Sequence, residues 1–154
     1  MEHKSKVRTC LWFASGGLEA ARRYVSLLPG SEIDTILPHG NPDDPMVVEF
    51  TLAGAPMMIL TASGGPAPSA AASISVLTED QAETDALWAA VTDGGEEGRC
   101  GWAIDRYGVS WQIVPKRMPE LLGSDDPEVA RRAMEAMMAM RKIDIPVMER
   151  AAAA

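Results

Sequence analysis

The sequence predicts an α+β fold of two similar halves followed by a helical tail, and three observations carry that prediction. Strand-like runs flank amphipathic helices in the order β-α-β-β-β and then β-α-β-β. A low-complexity Gly/Pro/Ala/Ser stretch, Ser63 to Ala72, separates the halves. After Ser124 the apolar residues recur at helical spacing. The two predicted helices start about 60 residues apart, which marks an internal structural repeat, although residue identity between the halves is negligible. A chain of 154 residues suffices for one domain with a substantial core.

Module one spans about 6–62. Arg8 to Phe13 reads as a buried strand, broken by Ser15-Gly16-Gly17. Leu18, Ala21, Tyr24, Val25 and Leu28 recur at three- and four-residue steps, which predicts a helix that Pro29-Gly30 ends. Ile33 to Leu37 reads as a strand, and His39 to Pro45, rich in Gly, Asn, Asp and Pro, as a loop. Met46 to Leu52 and Pro56 to Thr61 form a hairpin around Ala53-Gly54-Ala55.

Module two spans about 73–116, after a linker over 63–72. Ser73 to Leu77 reads as a strand. Thr78-Glu79-Asp80-Gln81 has the form of a capping box, with the Thr hydroxyl on an amide and Gln81 reaching back. Ala82, Leu87, Trp88 and Val91 stripe the following helix, and Asp93-Gly94-Gly95 stops it. Arg99 to Ile104 and Val109 to Val114 are two strands around Asp105-Arg106-Tyr107-Gly108, with a further short strand near Glu96. Gly108 suits the positive φ of such a turn, and Asp105 is placed to bond its own backbone. Alternation sends Val109, Trp111 and Ile113 to one face and Ser110, Gln112 and Val114 to the other, with Trp111 in the core.

The tail, about 117–150, starts a helix at Ser124-Asp125-Asp126 with Pro127 in its first turn. Ala130, Ala133, Met134, Met137, Met138 and Met140 give it a wide apolar stripe, to pack against its own chain or a partner subunit. Pro146 interrupts the pattern before Val147 to Arg150, and Ala151 to Ala154 read as a frayed end.

Composition excludes some functions. The net charge is -8, so the clustered Lys and Arg of a nucleic-acid surface are missing. Arg22-Arg23, Arg131-Arg132 and Arg141-Lys142 read as solvated helix faces. No run of about 18 apolar residues marks a membrane span. The first residues, Met1 to Val7, are polar, and two cysteines do not make a disulfide framework, so a cytoplasmic protein with reduced thiols is expected.

Three stretches resemble the PhnB-like branch of the vicinal-oxygen-chelate superfamily, whose members often carry the name 3-demethylubiquinone-9 3-methyltransferase. The first is Cys10-Leu-Trp-Phe13 with Glu19-Ala20, Tyr24 and Leu27-Leu-Pro-Gly-Ser31. The second is Gly94-Gly-Glu96, Cys100-Gly-Trp102 and Asp105-Arg-Tyr-Gly-Val-Ser-Trp-Gln112. The third is Ala133-Met134, Ala136-Met137, Met140, Lys142-Ile-Asp-Ile145 and Glu149-Arg-Ala151. The resemblance implies paired βαβββ modules whose curved mixed sheets form a cleft, and a homodimer. It does not imply one reaction, since the superfamily contains enzymes and non-catalytic binding proteins. One departure is Pro68-Ser-Ala-Ala-Ala-Ser73, where many relatives carry Phe-Asn-x-x-x-Ser.

Metal-using members of that superfamily often have a Glu after the signature Trp; here Gln112 stands there. The ligand-bearing positions implied by the resemblance fall near Thr9-Cys10, Thr61, Ser73 to Ser75 and Gln112, and none is a His or an acid. His3 and His39 lie off the predicted cleft strands. The expectation is therefore no metal and no cofactor, and no Gly-rich strand-to-helix loop marks a nucleotide site. The candidate ligand-binding set is Cys10, Trp12, Thr61, Ser75, Trp102 and Gln112, with Thr61 and Ser75 as partners for the Gln112 amide. Cys10 and Cys100 read as buried and inert, lacking a neighbouring base. Ser69, Ser73 and Ser75 lack a His to activate them. Glu49, alternating with Val48 and Phe50, is the one candidate general base, unless it faces solvent. The reading is a metal-independent protein that binds a small organic molecule; the alternatives are a lyase or isomerase using acid/base chemistry, and an interaction protein with a vestigial cleft.

Overall fold

In the computed structural model, which describes residues 5–154, each half of the chain pairs its strands into its own four-stranded sheet. The boundary between the two contact units falls after Pro68, inside the predicted linker.

The first unit runs β1 (Thr9–Phe13), α1 (Gly17–Leu27), β2 (Glu32–Asn41), β3 (Asp44–Leu52) and β4 (Ala55–Thr61). Its sheet has the order β1-β4-β3-β2, with β1 parallel to β4 and the other pairs antiparallel. Leu18, Ala20, Ala21 and Tyr24 of α1 are buried with Val48, Phe50, Met57 and Ile59 of the sheet, and the Tyr24 and Phe50 rings meet at 6.4 Å. Each large apolar side chain so buried contributes about 1.5–3 kcal/mol. The first turn of α1 is held from β3: the Asp44 carboxylate accepts from the Gly16 and Gly17 amides at 2.9 and 3.1 Å. These amides lack helical partners and lie at the positive end of the helix dipole. A β-carbon at Gly17 would overlap the Thr61 hydroxyl and Ile59, so glycine there sets how closely α1 approaches β4.

Three expectations for this unit are corrected. β1 is an edge strand, and only Phe13 of it is buried, because its sole neighbour is β4 and alternate residues point away from α1. The loop predicted over 39–45 is a continuation of the β2–β3 ladder. Gly40 pairs with Pro45 and Asn41 with Asp44, after an irregularity between Leu37 and Gly40. The Asn41 side chain accepts from the Asp43 amide at 3.0 Å and closes the turn, so the Gly/Asn/Pro/Asp cluster marked a hairpin tip. His39 therefore has strand backbone; its side chain and that of Pro38 lie outside the described residues, as does His3. The β3–β4 hairpin is as predicted, and both turn residues are left-handed, Ala53 at φ 47 and Gly54 at φ 85.

The second unit runs β5 (Ser73–Thr78), α2 (Gln81–Thr92), β6 (Glu96–Glu97), β7 (Trp102–Ile104), β8 (Ser110–Pro115), α3 (Arg117–Leu122), α4 (Pro127–Met138) and α5 (Ile145–Ala152). The order β5-β8-β7-β6 repeats the plan of the first sheet, with β5 parallel to β8. Thr84, Leu87, Trp88 and Val91 of α2 are buried, as are Ala103, Trp111 and Ile113.

The predicted capping box forms with different partners. Asp80 is the N-cap and accepts from the Glu83 amide at 2.9 Å. Glu83 accepts from the Glu79 amide at 2.6 Å. The box is displaced by two residues, which leaves Ala82 exposed. It also puts Thr84 in the core, where its hydroxyl meets that of Thr78 at 2.6 Å. Gln81 is freed for another task. It donates to the Ile143 carbonyl at 3.0 Å and accepts from the Ile145 amide at 2.8 Å.

That clamp is part of how the tail packs on its own unit. The Cys100 and Gly101 amides donate to the Met140 and Arg141 carbonyls at 3.0 and 2.8 Å. Both residues are left-handed, at φ 56 and 82, so the predicted strand from Arg99 begins only at Trp102. Lys142 bonds Asp85 at 2.6 Å and, with Gln81, holds its carboxyl below the ordinary range. Leu121, Ala133, Ile143, Met148 and Ala152 form the tail's core, with Met118, Met137 and Met140 packed against it. Ala152 is buried and its carbonyl accepts from Arg132 at 2.8 Å, so the final helix reaches further than predicted. Met134 and Met138 stay exposed.

Two stability measurements follow. Ala53→Asn, which tolerates the left-handed turn better than Ala, raises unfolding stability by about 0.5–1 kcal/mol in urea titration. Gln81→Ala strands the Ile143 carbonyl and Ile145 amide and lowers stability by about 1–2 kcal/mol. Hydrogen exchange at the Ile145 amide accelerates in that variant, and unchanged exchange there refutes the clamp.

Candidate functional site

Each sheet has one face under its helix and one face free of it. In the second unit the geometry of the free face is set by Asp105. Its backbone carbonyl accepts from Gly108 at 2.9 Å, closing the turn. One carboxylate oxygen accepts from the Tyr107 and Val109 amides at 2.9 and 3.0 Å. The other accepts from the Trp111 indole at 2.8 Å. Asp105 is 7% exposed, and several N–H donors offset the cost of burying a carboxylate. With Trp111 fixed in the core, strand alternation sends Ser110 and Gln112 to the free face.

Cross-strand register then assembles a row from three predicted residues: Ser75 on β5, Gln112 on β8 and Trp102 on β7 are direct neighbours. The Gln112 amide donates to the Ser73 hydroxyl at 2.8 Å, so its partner is Ser73 and not the expected Thr61 or Ser75. The adjacent row on the same face is Ser73, Ser110, Ile104 and Glu96. Beside it lies a cavity of about 220 Å³, lined by Ala70, Glu96, Glu97, Gly98, Trp102, Ala103, Ile104 and Ser110. Sequence reading singled out Trp102 and the direction of Ser110. It missed Glu96, Ile104 and Ala70, because a two-residue strand and a linker alanine carry no periodic signal.

In the first unit the structure separates the predicted residues. Cys10 and Trp12 lie on the sheet face away from α1, and both are exposed. Cys10 is therefore not the buried thiol expected, and Cys100 is only half-buried. The Trp12 indole donates to the Ala62 carbonyl at 2.9 Å and packs over Gly65. Thr61 points the opposite way, buried against Gly17, and its hydroxyl has no hydrogen-bond partner. Glu49 does not face solvent. It is 8% exposed, in register with Met58, and pairs with Arg8 at 2.9 Å. A carboxylate engaged by a guanidinium is a poor general base.

Among the described residues no three His, Cys, Asp or Glu side chains come close enough to hold a metal ion. The positions expected to carry ligands supply one thiol, hydroxyls and an amide, and a lone thiol is the one strong donor to a divalent metal among them. No described helix is long and apolar enough to cross a membrane.

Two units of the same β-α-β-β-β plan, each with a parallel β1–β4-type pair, define a glyoxalase-like, vicinal-oxygen-chelate fold. Residues 5–114 match the family described as 3-demethylubiquinone-9 3-methyltransferase, and the chain belongs to this PhnB-like family. The PhnB protein from Bacillus cereus is 27% identical with a TM-score of 0.65, covering 72% of this chain and 99% of its own. Protein PA1353 from Pseudomonas aeruginosa is 22% identical with a TM-score of 0.62, covering 73% and 98%. The fosfomycin resistance protein FosX from Mesorhizobium loti is similar in fold at 13% identity, with a TM-score of 0.50 and 71% and 90% covered. No curated protein matches the chain.

The role of Asp105 is tested by Asp105→Asn. The amide cannot accept at both positions, and one bond to the Trp111 indole or the turn amides becomes a donor–donor contact. Stability falls by about 1–3 kcal/mol, read by tryptophan fluorescence in urea. A variant as stable as the parent contradicts the assignment.

Proposed function

We propose that this protein binds a small organic molecule without a metal, on the helix-free face of its second sheet. The observation that carries this reading is the cavity of about 220 Å³ beside the Ser75–Gln112–Trp102 row. Its wall is mostly apolar, with one aromatic ring and a few polar groups, the composition that small-molecule sites share. At the ~30 Å³ that a water occupies in the liquid, it has room for roughly seven or eight non-hydrogen atoms. Metal independence is supported by the donor set, in which Gln112 stands at the position of the usual acid and is already bonded to Ser73.

The family description names a methyl transfer, whereas the cavity and the residues around it support small-molecule binding. The acid/base alternative depends on Glu49, whose pairing with Arg8 weighs against it.

Fragment binding followed by NMR tests the reading. Bound fragments shift the Trp102 indole resonance, and Ala70→Phe, at an exposed position on the cavity wall, weakens them about tenfold or more, roughly 1.4 kcal/mol. Affinities survive treatment with chelator. Binding that disappears with chelator and returns with zinc, nickel or manganese would overturn metal independence.

A further inference from the structure

The cavity in the second unit contains two groups whose bonding capacity nothing else uses. Ser110 is 2% exposed, lines the cavity, and its hydroxyl makes no hydrogen bond among the described residues. Glu96 also lines the cavity. Its carboxylate has no hydrogen bond or ion pair among the described residues.

Register explains why Glu96 and not Glu97 is available. Glu96 pairs with Ile104, which pairs with Ser110, so these three side chains share the helix-free face. Glu97 pairs with Ala103 and points to the α2 side, where its carboxylate accepts from the Trp88 indole at 3.0 Å. Two cations around the hairpin are engaged elsewhere, while Arg99 is exposed in the connection between β6 and β7. Arg141 donates to the Glu97 carbonyl at 3.4 Å, and Arg106 pairs with Asp93. Across the face, the order is therefore the Glu96 carboxylate, apolar Ile104, then the Ser110 hydroxyl, with the Trp102 ring alongside.

We propose that the ligand of this cavity is a small organic cation, a primary amine with a compact apolar body, its ammonium against Glu96 and its body between Trp102 and Ile104. An ammonium has three donors and meets a carboxylate with charge-assisted bonds. An aromatic wall attracts it further. A chain with net charge -8 raises the local concentration of cations and lowers that of anions. Ser110 meets a polar group on the far side of Ile104. The inference rests on the small-molecule reading above and specifies its chemical class.

Benzylamine, benzyl alcohol and benzoate share a ring and nearly the same size, and differ in charge. Their affinities, measured by NMR titration of the Trp102 indole, decide between the cases. Benzylamine binds roughly five- to tenfold tighter than benzyl alcohol, and most of the difference is lost in Glu96→Gln and at high salt. Glu96 is exposed in a two-residue strand, so that variant keeps its fold. Equal affinities for amine and alcohol, or a preference for benzoate, would overturn the cationic class while leaving a small-molecule cavity. If none of the three binds, the cavity is not a site for molecules of this size, and both readings fall.

Discussion

The Asp105 carboxylate is the contact on which the second unit depends. It accepts from two turn amides and from the Trp111 indole while almost wholly buried. An acid in that place is stable only because donors surround it, and the donors are placed only because the chain turns there. Once the turn and Trp111 are fixed, the parity of β8 follows. A one-residue slip would move Gln112 into the core and Trp111 onto the open face. Ser110 and Gln112 of the candidate site inherit their direction from this contact.

The two units use one architecture for different chemistry. The helix-free face of the first carries an ion pair, Arg8 with Glu49, beside an exposed thiol. The corresponding face of the second carries an amide and hydroxyls beside a cavity. A charged pair on a sheet face contributes through mutual satisfaction and leaves little capacity for a ligand. A neutral amide bonded to one serine leaves its carbonyl and the neighbouring hydroxyls able to bond further. Of the two helix-free faces, the one in the second unit therefore keeps more unused hydrogen-bonding capacity.

The tail belongs to this arrangement. Left-handed backbone at Cys100 and Gly101 turns two amides outward to the Met140 and Arg141 carbonyls. Gln81 secures the next turn of chain from α2. The tail thus braces the strand entry at Trp102, one of the cavity's walls. Methionine suits such a contact, since it fills irregular gaps between short helices.

The sequence by itself determined the order of elements, the repeat, the Asp105–Gly108 turn and the alternation along β8. These are local, set by turn chemistry and by a period of two or 3.6 residues. It also sent Gln112 to the face opposite Trp111, and it named Trp102 only as a candidate. Only tertiary structure decided the rest. Thr61 left the candidate set because α1 packs against the face it occupies, and Gly17 makes that approach possible. Glu49 found Arg8 from outside its own strand, and Glu96 became the free acid because Glu97 is taken by Trp88. Pairings between residues distant in sequence, or between a strand and its covering helix, leave no periodic trace. Their outcome depends on which competing partner the fold brings within reach.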